Sequence, residues 1–197
     1  MKIEFLETIK ILDGKIYHLE YHQQRYESVL ASYGVEESKE LYDYIDAPKR
    51  GLYRCRMVYS CDAIIEVSYY PYKKRNTEHL KLIEHNSLEY SKKYVNREPL
   101  EELYAKREEC DDVLIVQNGY IKDTTIANVA FFDGRDWLTP CEPLLNGTTR
   151  ERLLQEGFLK TEAIRVDSLK RFQKMALMNA MIDFDIIADK KIEEIIC

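Results

Sequence analysis

The chain lacks a strong positive charge, a long apolar run and any paired cysteine motif, and each absence removes a class of function. Its 197 residues carry a formal net charge of −6, so the broad basic field that binds a nucleic-acid backbone is missing. The short run YKKR at Tyr72–Arg75 reads as a solvated turn. No segment approaches the ~20 consecutive apolar residues that a membrane-spanning helix needs. The opening MKIEFLETIKIL carries acids and has no small-residue cleavage site, unlike a secretory signal. The five cysteines, Cys55, Cys61, Cys110, Cys141 and Cys197, form no CxxC pair. An odd count at wide spacing points to reduced thiols in a cytoplasm. His18 and His22 share a helical spacing, but no neighbouring Cys or third His completes a ligand set, so no metal is expected. Repeats and low-complexity tracts are absent as well.

What is present is ordinary globular composition: 45% hydrophobic and 32% charged residues, with fifteen tyrosines. Such a chain is long enough to bury a real core. FLETIKIL, then Asp13-Gly14, then KIYHL reads as a hairpin, because Asp-Gly between apolar runs is a strong two-residue turn signal. A helix is expected from Glu20 to about Tyr33, stopped at Gly34, with a second short one over Glu37–Ile45. LYRCRMVYS and AIIEVSYYPY alternate as paired antiparallel strands do, and HLKLIEH reads as a further strand. A helix over about Arg97–Arg107 precedes a β-rich run from Asp111 to Pro140. NGTTRERLLQEG starts another helix, RVDSLKRF a short one, and the closing KMALMNAMIDFDII is too mixed to assign. Strands and helices segregate here, which favours an α+β fold over regular βαβ units. The expected division is a smaller α+β domain over residues 1–86 and a larger α+β domain over 87–197.

Four stretches could carry chemistry. LEYSKKYVN sets Lys92 and Lys93 side by side between tyrosines; on an extended segment the two amines face opposite ways, so one could enter a cleft, although most lysines are simply solvated. NGTTRERLL leads a glycine turn into a helix whose first turn carries Thr148 and Thr149. Free N–H groups at a helix start make an anion cradle, and the plain alternative is a threonine cap. Arg25 falls on the first helix and could grip phosphate with its fork of donors or lie at the surface. Asp123, followed by Thr124 and Thr125, ends an apolar strand; it could hold a proton on a heterocyclic nitrogen or form a local turn. Together, a phosphate cradle, an arginine, an amine and a carboxylate are the requirements of pyridoxal phosphate (PLP).

The ordered set resembles the class IV PLP-dependent aminotransferase family, which includes branched-chain and D-amino acid aminotransferases and aminodeoxychorismate lyase. FLETIKILDGKIYHLEYHQQR is similar to the family's FET strand, DG turn and L-x-x-H-x-x-R helix, with Leu19, His22 and Arg25 in the motif positions. KYVN is similar to its lysine followed by Asn three residues later. DDVLIVQNGYIKDTTIANVAFF, LLNGTTRERLL and ALMNAMIDF are similar to its remaining strands and its L-x-G-I-T-R turn. The resemblance implies a two-domain, D-amino acid aminotransferase-like architecture of fold type IV. It makes Lys93 the catalytic Schiff-base lysine, preceding Asn96 by three, with Lys92 its exposed neighbour. Arg25, Gly147, Thr148 and Thr149 would bind the cofactor phosphate. Asp123, with Thr124 beside it, would face the ring nitrogen where relatives mostly carry Glu, and Asn179 would lie near the substrate or cofactor, unless it is a structural amide at a strand end.

The sequence also departs from the family. Relatives carry a β-segment and a G-D-G turn ahead of FET, so the chain reads as N-terminally shortened. Arg97 and Glu98 stand where relatives place an aromatic that bonds the cofactor's ring oxygen. MNAM at Met178–Met181 is closer to the lyase pattern Cys-Asn-Ala-Leu than to the Gly-Thr of transaminases. The implied activity is therefore 4-amino-4-deoxychorismate lyase, forming 4-aminobenzoate and pyruvate on the route to folate. The alternatives are an amino acid transaminase, with Arg54 or Arg56 meeting a substrate carboxylate, and a non-catalytic relative. A homodimer acting on a small amino substrate, with no nucleic-acid or membrane partner, is implied by the same resemblance.

Overall fold

Alternation in FLETIKIL sends Phe5, Glu7, Ile9 and Ile11 to one side of a strand, where all four are buried, and turns Thr8, Lys10 and Leu12 to the other. The structure is a computed structural model, and it describes residues 3–187 and 192–196. The chain divides into two compact units, Met1–Lys74 with Lys92–Asn96, and Arg75–Ser91 with Arg97–Cys197. Position 86, the expected boundary, lies inside the second unit.

The first unit is built on a four-stranded antiparallel sheet in the order β2-β1-β3-β4. Its strands are β1 (Phe5–Leu12), β2 (Lys15–Ile16), β3 (Leu52–Tyr59) and β4 (Ile64–Pro71). Asp13 and Gly14 both adopt positive φ, 50° and 81°, as the tight turn of a two-residue hairpin requires. The second strand is shorter than KIYHL suggested, because His18 takes φ 54° and starts α1 (Leu19–Ser32) at once. From that helix Tyr26, Val29 and Leu30 pack on Phe5, Met57 and Tyr59. The expected helix over Glu37–Ile45 is only a 3-10 turn, Leu41–Tyr44. Residues 93–95 run beside the start of β1: Leu6 N–H donates to Lys93 O at 2.9 Å and Val95 N–H to Glu4 O at 2.9 Å. Lys93 is thereby tied to the strand that carries Glu7.

Among the described residues the second unit holds two sheets. In one, β6 (Asp112–Gln117) lies between β5 (Leu80–Glu84), parallel to it, and β7 (Tyr120–Thr124), antiparallel. Five consecutive buried residues in β6 reflect cover on both faces. The other sheet has the order β10-β9-β8-β11-β12. It comprises β8 (Asn128–Phe132), β9 (Trp137–Pro140), β10 (Leu159–Glu162), β11 (Lys174–Asn179) and β12 (Asp183–Ile186), so the stretch left unassigned from sequence is a hairpin. Among the described residues this unit has the helices α2 (Glu98–Ala105), α3 (Thr148–Gln155) and α4 (Ile192–Ile195). The expected RVDSLKRF helix is the 3-10 segment Val166–Arg171. Leu114, Val129, Phe131, Met175 and Leu177 form the centre of the core.

Cys55, Cys61 and Cys141 are free thiols. Cys110 is disulfide-bonded, which departs from the expectation of uniformly reduced cysteines. Among the described residues, no helix is long and apolar enough to cross a membrane, and no group of three or more His, Cys, Asp or Glu could hold a metal.

Candidate active site

In the first unit, a charged cluster forms inside an apolar wall. Glu7 is fully buried in the row of Phe5, Ile9 and Ile11. Its Oε1 accepts from Arg25 Nε at 2.8 Å, and its Oε2 accepts from Arg25 Nη2 at 2.5 Å and from His22 Nδ1 at 2.6 Å. Burial opposes the charge on Glu7, yet the Arg25 guanidinium and the His22 hydrogen bond hold the carboxyl down at about 2. Burial pulls His22 below its ordinary range. The imidazole is therefore neutral beside an ionised carboxylate, and Nδ1 carries the donated proton. The i, i+3 spacing of His22 and Arg25 on α1 puts both over the same patch of the sheet.

Lys93 belongs to this cluster. Its charge is close enough to His22 to add to the lowering of the imidazole. Lys92, read as the exposed neighbour, is instead half-buried like Lys93, with Nζ 5.5 Å from the centroid of the Tyr33 ring; a cation over an aromatic face is held there by the ring quadrupole. Arg54 stacks on Tyr70 at 5.2 Å and Arg56 pairs with Glu66 at 3.6 Å. The register Thr8↔Arg56 and Lys10↔Arg54 puts both arginines on the sheet face opposite Glu7.

In the second unit, Asp123 is the penultimate residue of β7 and is buried. Asn128 Nδ2 donates to its Oδ1 at 2.8 Å and Leu145 N–H to its Oδ2 at 3.0 Å. Burial pushes the carboxyl up to about 6 against those hydrogen bonds and the attraction of Arg150. Asn128 Nδ2 also donates to Leu145 O at 2.8 Å, so one amide ties the carboxylate to the segment that enters α3. Gly147 is the N-cap of α3 and offers no side-chain acceptor. Thr148 and Thr149 therefore lie inside the first turn and are not its cap, and the N–H groups of that turn have no intrahelical partner. Arg150, in the same turn, is buried with Nη2 donating to Pro140 O at 2.9 Å and Nε without a partner.

Two expected site residues are engaged in the fold. Thr124 Oγ1 accepts from Ala127 N–H at 3.1 Å and shapes the β7–β8 turn. Asn179 Oδ1 accepts from Met181 and Ile182 N–H groups, at 2.9 and 3.1 Å, and its Nδ2 donates to Ile126 O at 3.2 Å. These bonds hold the amide at the end of β11. Arg97, where relatives have an aromatic, donates through Nη2 to Thr125 O at 2.8 Å. Sequence reading missed Glu7, Asn128 and Arg150. An acid interrupting the apolar row of FLETIKIL was a visible signal for Glu7, and a polar residue opening the apolar strand NVAFF was one for Asn128. The closing arginine of the L-x-G-I-T-R resemblance falls on Arg150 and was the signal for it.

Comparison with known proteins places these clusters in context. An uncharacterized protein of Haemophilus influenzae is 34% identical over 181 residues, covering 89% of this chain and 96% of that protein. A crystal structure from Haemophilus somnus, provisionally named a 4-amino-4-deoxychorismate lyase, is 30% identical, with 92% of this chain and 97% of that chain covered and a TM-score of 0.85. The branched-chain amino acid aminotransferase of Escherichia coli, 15% identical with 94% and 76% coverage and a TM-score of 0.74, shares the fold. The family model for amino-transferase class IV matches residues 4–186, and the chain belongs to that pyridoxal-phosphate-dependent, fold type IV family.

Proposed function

We propose that this protein is a PLP-dependent lyase that converts 4-amino-4-deoxychorismate to 4-aminobenzoate and pyruvate. The observation that carries the reading is the survival, in one chain, of both charged clusters: Lys93 with Arg25, and Asp123 with the Gly147 helix start. Similarity to the Haemophilus somnus protein over 97% of its length, and the MNAM stretch at the end of β11, favour the lyase among the family's reactions.

The residues fit the cofactor. Gly147 approaches Asn128 so closely that a side chain would fill the turn, and the uncapped first turn of α3 suits a phosphate dianion. Arg25, 13% exposed along its side chain, supplies a cationic fork to the same class of group. Asp123 supplies a carboxylate for the ring nitrogen; four lone-pair positions on two oxygens leave it acceptor capacity beyond Asn128 and Leu145. Bound PLP supplies an electron sink.

Lys93 Nζ is the amine that would hold the cofactor and that would accept and return a proton during the reaction. Loss of pyruvate then accompanies aromatisation of the ring. A transaminase would use the same amine as its proton carrier. For this chain a substrate carboxylate grip from Arg54 or Arg56 is disfavoured by their positions on the far face of the sheet. A homodimer acting in a cytoplasm is part of the proposal; light scattering of the purified protein checks the dimer, and fractionation of cells checks the location.

The deciding experiment incubates the PLP-loaded protein with 4-amino-4-deoxychorismate in the absence of any amino acceptor. Stoichiometric pyruvate and 4-aminobenzoate support the lyase. Turnover only when a keto acid is added replaces it with a transaminase, and no turnover with any amino donor leaves a non-catalytic relative.

A further inference from the structure

We infer that Glu7 is a positioning residue whose buried carboxylate locks the Arg25 fork in the orientation that receives the cofactor phosphate. The inference rests on the proposed role of Arg25 and goes beyond it, because Glu7 itself touches neither cofactor nor substrate.

The geometry is specific. Glu7 engages Arg25 through Nε and Nη2, one edge of the planar guanidinium, at 2.8 and 2.5 Å. A bidentate grip of this kind fixes the plane and direction of the fork, so the remaining N–H groups point away from Glu7. An arginine on the edge of a helix otherwise samples many rotamers, and ordering it at the moment of binding would weaken the contact. The second anchor is His22, whose neutral ring donates to Glu7 Oε2 at 2.6 Å. It stops the carboxylate from rotating within a wall whose other members, Phe5, Ile9 and Ile11, are apolar. A fully buried acid in an apolar row costs stability unless it is paired, and Glu7 spends all three of these contacts on one arginine and one histidine.

A competing effect has the opposite sign. Glu7 also neutralises part of the Arg25 charge, and its removal would strengthen attraction to a phosphate if charge mattered more than orientation. The two effects separate in the ratio of dissociation constants for pyridoxal and pyridoxal phosphate, which isolates the phosphate contribution. A general loosening of the fold would weaken both ligands together and leave the ratio unmoved.

The test measures that ratio by absorbance titration for the full chain and for Glu7→Gln, Arg25→Lys and the double variant. The inference expects Glu7→Gln to lower the ratio about tenfold, the scale of one charge-assisted hydrogen bond, with pyridoxal affinity nearly unchanged. It expects Arg25→Lys to lower the ratio similarly and the double variant to lower it no further, as residues acting through one another do. A ratio unchanged or raised in Glu7→Gln overturns the inference. A ratio unchanged in Arg25→Lys overturns the role of Arg25 itself. Should Glu7→Gln fail to fold, Glu7→Asp keeps the charge but shortens the arm, and an unaltered ratio there counts equally against the proposal.

Discussion

Asn128 stands so close to Gly147 that a β-carbon added to the glycine would lie 2.0 Å from Asn128 Oδ1 and 3.2 Å from its Cγ. The backbone of Gly147 is ordinary, with φ −75° and ψ 143°. What demands glycine is the neighbour and not the dihedral angle. The asparagine cannot swing aside freely, because its Nδ2 is bonded to both Asp123 and Leu145.

Gly147→Ala is therefore expected to displace Asn128 and break its bond to Asp123, at a cost of roughly 1–3 kcal/mol typical of overpacking. Adding Asn128→Ala should relieve the clash, so the double variant should be less destabilised than the sum of the singles. Urea unfolding of the four proteins measures both quantities, and strict additivity would show that the contact is not felt.

The lysines part company under reduction. PLP-loaded wild type treated with borohydride should carry its label on the peptide containing Lys93, with Lys92→Ala labelled normally and Lys93→Ala unlabelled. Mass spectrometry of the digest reads this directly. Label following Lys92 would reassign the amine, for which the stacking of Lys92 on Tyr33 gives no support.

Two buried carboxyls give stability opposite pH dependences. Glu7 has a folded pKa of about 2 against an ordinary 4.5. Its contribution, on the order of 3 kcal/mol, is present above pH 4.5 and lost as the pH falls towards about 2. Asp123 has a folded pKa of about 6 against an ordinary 3.8. The folded state binds its proton more tightly, so stability from this group is full below pH 3.8 and declines, again by an order of 3 kcal/mol, as the pH rises through about 6. Unfolding free energies of Asp123→Asn should lack the decline between about pH 4 and pH 7, since the amide does not titrate. An unchanged slope would assign it to another group.

Removing one partner of the first cluster should cost more than removing both. Arg25→Met leaves Glu7 buried beside a neutral His22 and is expected to destabilise the protein by about 3–5 kcal/mol. Adding Glu7→Met, which fills the same wall with an apolar side chain, should recover much of that loss. Thermal unfolding at neutral pH compares the three proteins.

Much of the architecture follows from local pattern. The Asp13-Gly14 turn, the alternation of β1 and β3, and the helix stopped ahead of Gly34 are each dictated by a few adjacent residues, and the structure contains them. The errors lie where local pattern is weak. His18 ends β2 early through a positive φ that no periodicity announces. The 37–45 helix shrinks to a 3-10 turn because Leu41 N–H is satisfied by Gln23 Oε1 at 2.9 Å, a contact across 18 positions of sequence. KMALMNAMIDFDII becomes a hairpin since β8 lies beside it and supplies its ladder, information that exists only once β8 is in place.

The sequence by itself determined which chemical groups are available: the amine of Lys93, the fork of Arg25, the carboxylate of Asp123 and the glycine-led start of α3. Residue type and spacing suffice for that, because a helix start or a turn is a local object. Only the tertiary structure decided how those groups are held. Glu7 meets Arg25 across the sheet–helix interface, and Asn128 meets Asp123 and the Gly147 turn across two strands and a loop. Orientation, burial and the resulting proton affinities depend on neighbours distant in the chain, which no local pattern encodes.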